Sequence, residues 1–457
     1  MKKILLASMM IIQPIAATCA DSAPPQKIMM AKICATCHKN QENSFRGYFD
    51  NVSLKAKKIQ LKMDDIIEIL NFDPKNFSIT NGEKTENLEY LQEIPKSKEV
   101  KIEYQEKDGK KYATKLVIKQ PIQIPDEMLI TTDEVARLVA MGPEKGKYHL
   151  YDSRPPIRAQ EGMIPTAVNL PFPMFEQNVD KLPHEKDALV IFYCAGITCA
   201  MSPSSAKKAK ELGYTNIKIY HEGMPEWSKK HYTMITAKNY KEAWLDKGIP
   251  SVLIDLRATS EAEQGYIKGA VTIKSEDLAK AITTFPPKKS KAPIIVYGMD
   301  TEEASQAAGV ILAGGYGNVK VLQGGMKAWN DAGYPVEKGK LDTKITYVQK
   351  PKPGEIVIDD FKKIVDDGLK DTLLIDVRPS NESSRAMIKG AKSIPVGDLE
   401  KHLANLPKDK EIVAYCNTGT LAEMAYYMLI GNGYTKVKFF NNPLTIKPNG
   451  TYEISAK

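Results

Sequence analysis

At 457 residues with 42% hydrophobic content, the chain is long enough for three or four globular units of roughly 100–150 residues each, which excludes a small disulfide-stapled scaffold. Its formal charge of +8 is modest, and its lysines are scattered without long basic blocks. That pattern gives nucleic-acid binding little support and leaves a mild attraction for small anions.

The chain opens on "MKKILLASMMIIQPIAATCA" (1–20), with Lys2 and Lys3, an apolar stretch interrupted by Gln13 and Pro14, and small residues near position 20. This reads as a cleaved secretory signal peptide, which directs the protein to the periplasm or beyond. An uncleaved anchor is the alternative. Lipid attachment at Cys19 is a minor one, because Ala16, Ala17 and Thr18 match a lipoprotein signal poorly. No later stretch approaches the ~18 uninterrupted apolar residues of a membrane helix, so no span is expected after cleavage.

Residues 34–38 read "CATCH". Two thiols three positions apart can form thioethers to a haem while the following imidazole ligates its iron, so Cys34, Cys37 and His38 are expected to hold one covalent c-type haem. Zinc needs about four protein ligands, and the next histidine is His149, over a hundred residues on. A redox dithiol or disulfide also remains open. Met63, Met29 and Met30 are conceivable sixth ligands, although a methionine more often fills a core. Beyond the motif, "IQLKMDDIIEILNFD" and "KEVKIEYQEKDGKKYATKLVIKQP" alternate apolar and polar residues around a hairpin turn at "EKDGKK", which predicts a small mainly-β unit over 21–120. Pro121 and Pro125 mark the linker that follows.

From there one pattern occurs three times. "YHLYDSRP" holds Asp152 and Arg154, "SVLIDLRA" holds Asp255 and Arg257, and "TLLIDVRP" holds Asp376 and Arg378. Each aspartate is followed 15 positions later by an alanine, Ala167, Ala270 or Ala391. A second apolar run comes next ("DALVIFYC", "APIIVYG", "EIVAYC"), then a helical stretch and a Gly-Tyr pair (Gly213-Tyr214, Gly315-Tyr316, Gly433-Tyr434), then a third run ("NIKIY", "NVKVL", "KVKFF"). Apolar β-rich runs alternating with helices predict parallel sheets covered by helices on both faces. The expected α/β domains run over 121–235, 236–345 and 346–457.

Together with the "EGMPEW" and "GGMKAW" endings, these motifs resemble the rhodanese family of sulfurtransferases. The resemblance covers about residues 125–450 as three tandem domains. In the third, "FFNNPLTI" stands where the family's last loop and helix are expected, so that end reads as truncated or remodelled. The resemblance implies a persulfide on the cysteine that ends the second strand: Cys194 in the first domain and Cys416 in the third. The middle domain has Gly298 there and no nucleophile, which fits a spacer or docking surface. Because Asp-x-Arg also occurs in that domain, it is expected to be a structural ion pair or hydrogen-bond network.

A strand end leading into a helix offers unpaired N–H groups and the positive end of the helix dipole, which favour thiolate over thiol. Neither "CAGITCA" nor "CNTGTLA" carries the basic residue frequent in thiosulfate-using members, so polysulfide competes with thiosulfate as donor. Four residues separate Cys199 from Cys194. Cys199 could attack sulfur held on Cys194, releasing sulfide and leaving a disulfide; it could equally be a small buried residue.

The expected function is thus an exported sulfurtransferase that moves or reduces sulfane sulfur, or a selenium analogue, between small sulfur anions and thiol acceptors, exchanging electrons through the haem with periplasmic cytochromes. A non-catalytic sulfur carrier or sensor, and an electron-transfer cytochrome with docking domains, remain as alternatives.

Overall fold

The computed structural model describes residues 41–455. The expected signal peptide, Cys19, Met29, Met30 and the haem triad Cys34, Cys37 and His38 lie outside the described residues.

The first unit is built from β1 (Ser44–Ser53), β2 (Lys58–Met63), β3 (Ile66–Phe72), β4 (Ser78–Asn81), β5 (Lys84–Glu86), β6 (Glu99–Lys107) and β7 (Lys110–Ile118). Asp108 and Gly109 both have positive φ and form the two-residue turn between β6 and β7, the backbone that a tight hairpin demands. The unit is not uniformly antiparallel, because β7 pairs in parallel with both β3 and β4. β3 pairs in parallel with β7 through Asn71↔Tyr112 and Phe72↔Ala113. This closes β1, β2, β3, β7 and β6 into a barrel and removes two exposed edges. Met63 is buried in the barrel core with Phe45, Leu61 and Ile102, so it packs there as a core methionine.

Three parallel sheets follow. The first runs β11-β10-β8-β9, using β8 (Tyr148–Asp152), β9 (Val168–Asn169), β10 (Leu189–Tyr193) and β11 (Ile217–Tyr220). Its central strand shows why both faces are covered. Val190 and Phe192 join one apolar cluster, with Ala206 and Ala209 of the helix Met201–Glu211. Ile191 and Tyr193 join another, with Val135 and Leu138 of the helix Thr132–Gly146. A side-chain period of two splits one apolar run between two cores.

The second sheet contains β12 (Thr233–Thr236), β13 (Val252–Asp255), β14 (Ala270–Thr272), β15 (Ile294–Tyr297) and β16 (Val319–Gln323), in the order β12-β16-β15-β13-β14. The second sheet begins at Thr233, where β12 starts its pairing with β16. The third uses β17 (Glu355–Ile356), β18 (Thr372–Asp376), β19 (Lys392–Ser393), β20 (Glu411–Tyr415) and β21 (Val437–Phe440), in the order β17-β21-β20-β18-β19. Here the remodelled end is a hairpin of β22 (Leu444–Ile446) and β23 (Tyr452–Ile454), in place of the closing helices Gly223–Lys230 and Gly325–Asp331 of the other two domains. Among the described residues no helix is long and apolar enough to cross a membrane.

One buried charge sits between the first two domains. Lys320 of β16 is buried with Nζ 3.5 Å from Thr233 Oγ1 and 5.5 Å from the Trp244 ring centroid. Burial pulls its ammonium down to about 8, aided by Arg154 and opposed by Glu161. A lysine with a depressed folded value carries its charging penalty below about pH 8, and stability recovers as pH rises towards the ordinary 10.5. At ~1.4 kcal/mol per unit, the recovery amounts to about 3 kcal/mol. Lys320→Met is therefore expected to raise the urea midpoint more at about pH 7 than at about pH 9.5. A gain of equal size at both values would contradict this account.

Candidate active site at the two-cysteine turn

The Asp-x-Arg residues frame the site in each domain. Asp152 is fully buried, accepts hydrogen bonds from Arg154 Nε at 2.9 and 3.0 Å, and accepts another from the Tyr193 hydroxyl at 3.0 Å. Arg154 Nη2 also donates to the Gly162 carbonyl at 2.8 Å, and the Tyr193 hydroxyl accepts from Ile164 N–H at 3.1 Å. The same arrangement joins Arg257 to Asp255 and Gly265, with Tyr297 on Ile267, and Arg378 to Asp376 and Ala386, with Tyr415 on Ile388. Its presence in all three domains, one without a cysteine, gives it the structural role expected. It clamps the loop after one strand to the last residue of the next, the residue just before Cys194, Gly298 or Cys416.

In the first domain the chain leaves β10 at Tyr193 and turns through Cys194–Cys199 before the helix Met201–Glu211 begins. Gly196 takes φ +106° and its carbonyl accepts the Cys199 N–H at 2.8 Å, which closes the turn. The closing helix braces it from outside: Met224 N–H donates to the Cys194 carbonyl at 3.1 Å. Gly223, at φ +58°, lies so close that a Cβ there would overlap that carbonyl oxygen.

Cys194 and Cys199 are free thiols, and Cys194 Sγ donates to the Cys199 carbonyl at 3.5 Å. Their environments differ. Cys194 is buried, with its Sγ 3.1 Å from Ser202 Oγ. Burial pushes its thiol well above the ordinary range, and the bond to Cys199 pushes further. Cys199 is partly exposed. Its thiol is drawn down to about 7 by the hydrogen bond from Cys194, against burial, with help from the N–H groups of Met201 and Ala195 and the charge of Lys119. The expectation of a thiolate at the strand end therefore meets a difference. Main-chain N–H groups act on both thiols, that of Ser202 on Cys194 and those of Met201 and Ala195 on Cys199, but desolvation outweighs them at Cys194.

Cys199 lines a cleft of about 490 Å³ between the turn and the barrel, whose walls include Tyr48, Lys98, Lys119, Glu222 and Pro225. The linker lies against the same turn, with Ile122 N–H donating to the Ile197 carbonyl at 2.8 Å. Ser202 and Lys119 had no motif to mark them. Ser202 is one more serine in "AMSPSS", and Lys119 lies far away in sequence on the barrel.

In the third domain Cys416 is buried among Ala422, Ala425 and Leu429, and Gly419 N–H donates to its Sγ at 3.1 Å. Arg378 Nη1 reaches Asn417 Oδ1 at 3.2 Å, and Asn417 Nδ2 reaches Glu382 at 3.3 Å. Glu382 also pairs with Lys55 of the barrel at 2.8 Å, so the barrel meets both cysteine-bearing domains. In the middle domain Glu303, held by Ser275 at 2.6 Å, places its carboxylate where a side chain at Gly298 would start. A fixed negative charge there opposes any sulfur anion. Among the described residues no cluster of three or more His, Cys, Asp or Glu could hold a metal ion.

The family model of the rhodanese-like domain matches residues 134–230, 237–332 and 357–443, more than half of the chain. The HTH-type transcriptional regulator Rv0324 of Mycobacterium tuberculosis is 33% identical over 84 residues, 18% of this chain and 36% of that protein. A sulfurtransferase of Allochromatium vinosum is 32% identical over 68 residues, 15% of this chain and 64% of that one. The chain thus covers less than two thirds of either relative. Among solved structures, the thiosulfate sulfurtransferase of Pseudomonas aeruginosa aligns over 68% of this chain and 66% of its own, with 19% identity and a TM-score of 0.23.

Proposed function

The chain belongs to the rhodanese-like domain family, and from that premise we propose that it moves sulfane sulfur from small sulfur anions, polysulfide or thiosulfate, to thiol acceptors through a cysteine persulfide in the first-domain turn. The observation that carries this reading is the pair of free thiols in one turn, Cys194 with its Sγ on the Cys199 carbonyl, where a parallel strand gives way to a helix beside an open cleft. Open α/β sheets hold ligands at that end of the strands. A thiolate there is the nucleophile, and fixed N–H donors stabilise the negative charge of the persulfide as it forms. Cys416, with the Gly419 N–H on its sulfur, is a second thiol suited to hold or pass sulfur.

The test is transfer from polysulfide, thiosulfate or a selenium oxyanion to a thiol acceptor. A variant lacking both Cys194 and Cys199 is expected to lose most of the activity, and Cys416→Ser a smaller part. Wild-type turnover in the double variant would remove the first-domain turn from the chemistry.

The same reading assigns a covalent c-type haem to Cys34, Cys37 and His38 in a periplasmic protein freed of residues 1–20. Such a haem supplies one-electron exchange with periplasmic cytochromes. Intact mass of protein isolated from its own host reads signal removal and haem together. An unprocessed, haem-free mass would refute both assignments.

A further inference from the structure

We propose that Ser153, Ser202 and Ser205 form a hydroxyl lining behind Cys194 that holds the sulfur anion there, first thiolate and then persulfide, and that makes this thiol faster to take sulfur than Cys416. This rests on the sulfur-transfer reading and assigns further residues to its first-domain site.

Strand register brings the three serines together. Asp152 pairs with Tyr193 in the parallel ladder, and the Ser153 N–H continues it by donating to the Tyr193 carbonyl at 2.9 Å. Ser153 is therefore the lateral neighbour of Cys194, and lateral neighbours face the same side of a sheet. By the period of two, Cys194 shares that side with Val190 and Phe192, which pack against Ala206 and Ala209 of the helix Met201–Glu211. The same helix carries Ser202 and, one turn on, Ser205. All three serines are fully buried. Ser202 Oγ lies 3.1 Å from Cys194 Sγ, whereas the hydroxyls of Ser153 and Ser205 have no partner among the described residues.

The other two domains show that the fold does not require these hydroxyls. The residue after the aspartate is Leu256 in the second domain and Val377 in the third. Nine positions before the tyrosine of each Gly-Tyr pair stand Ser205, Ala307 and Ala425, and twelve before it stand Ser202, Ala304 and Ala422. Leu256, Ala304 and Ala307 pack in one apolar cluster, and Val377, Ala422 and Ala425 in another that contains Cys416. A buried hydroxyl without a partner is unfavourable, so the polar lining of the first domain works against its stability. Its use lies at the sulfur. Burial pushes the Cys194 thiol up, with Cys199 of the same turn adding to it, and the Ser202 hydroxyl and N–H oppose them. Asp152, Arg154 and Tyr193 bond one another on the opposite face of the sheet. Hydroxyls that hold no other bond can turn towards a new anion without first breaking one.

In the loading step the Cys194 thiol gives its proton to solvent, and the thiolate attacks the terminal sulfur of a polysulfide. A bond forms between Sγ and that sulfur, the donor's terminal S–S bond breaks, and a polysulfide dianion one sulfur shorter leaves with the electron pair. One negative charge stays behind on the persulfide, so the donors that held the thiolate are needed again. An acceptor thiolate that takes the outer sulfur leaves the Cys194 thiolate for the next cycle.

The test is persulfide loading of the full chain by polysulfide, followed at each cysteine by peptide mass spectrometry across pH and paired with urea unfolding. In the wild type Cys194 is expected to load at least about tenfold faster than Cys416. Ser202→Ala is expected to slow loading of Cys194 about tenfold at neutral pH and to move the midpoint of its pH–rate profile up by about one unit, the shift to which a tenfold change corresponds. The double variant Ser153→Ala, Ser205→Ala should slow it by a smaller factor while the urea midpoint stays level or rises, because each substitution removes a buried hydroxyl that has no partner. Loading of Cys416 is the internal reference and should not change. Wild-type loading of Cys194 in both variants, or slower loading that keeps the wild-type pH midpoint and comes with a lower urea midpoint, overturns the assignment and leaves the transfer reading intact. Wild type that takes up no sulfur at any cysteine overturns both.

Discussion

Asp152→Ala is expected to destabilise the first α/β domain by about 3–5 kcal/mol, the range typical when one partner of a buried ion pair is removed. The substitution leaves the Arg154 guanidinium buried with only the Gly162 carbonyl among the acceptors found for its side chain, and it takes away the acceptor of the Tyr193 hydroxyl. Both groups are buried, so the lost bonds leave their desolvation uncompensated. Tryptophan fluorescence during urea unfolding can localise the effect. The three tryptophans are Trp227, Trp244 and Trp329, and they lie in the first two domains. Asp376→Ala strips the same network from the third domain, which has none, and should leave the tryptophan transition where it is. A shift below about 1 kcal/mol for Asp152→Ala would mean the network is too hydrated to act as a clamp.

The second large effect is expected at Gly223, where function should suffer more than stability. Alanine there meets two obstacles: a φ of +58°, and overlap with the Cys194 carbonyl oxygen, with Gly196 N only 2.9 Å away. The backbone term alone costs of order 1–3 kcal/mol. The overlap can be relieved only by moving the turn, which also carries the donors to Cys199. A displacement of about 1 Å at a reacting group can lower a rate by about 10²-fold, and sulfur transfer in Gly223→Ala is expected to fall on that scale. Gly333 supplies the control, since its φ is +69° and a Cβ there meets nothing within 4 Å. Gly333→Ala should share the backbone penalty and keep its transfer rate. Equal losses of activity in both variants would show that general destabilisation, not displacement of the turn, is being measured.

Several features were legible because they depend on local pattern. Continuous apolar runs such as "LVIFY" imply a strand buried on both faces, and Val190 and Ile191 do enter opposite cores. "EKDGKK" implies a hairpin because Asp-Gly accepts positive φ at both positions. The occurrence of Asp-x-Arg in a domain without a cysteine pointed to structure, and the bonds to Gly162, Gly265 and Ala386 follow that logic. Other features needed partners distant in the chain. The parallel seam between β3 and β7 joins residues about forty positions apart, and no alternation of side chains reports it. The lowered thiol at Cys199 draws first on Cys194 and only last on Lys119, a barrel residue paired with Glu99. Glu303 in the middle domain carries no motif, and only the fold brings its carboxylate beside Gly298.

By itself, then, the amino-acid order determined three α/β repeats, the strand ends on which Cys194 and Cys416 fall, and the absence of a thiol at Gly298, because strand periodicity and motif spacing are set by neighbours along the chain. Tertiary structure alone decided which thiol of the first turn meets solvent. Burial and charge at a sulfur atom depend on what folds over it: Cys194 lies buried within its own domain against Ser202, whereas Cys199 lines the cleft walled by the barrel. Desolvation raises one thiol while converging donors lower its neighbour five positions away. That difference comes from packing in three dimensions, which the spacing of two cysteines does not contain.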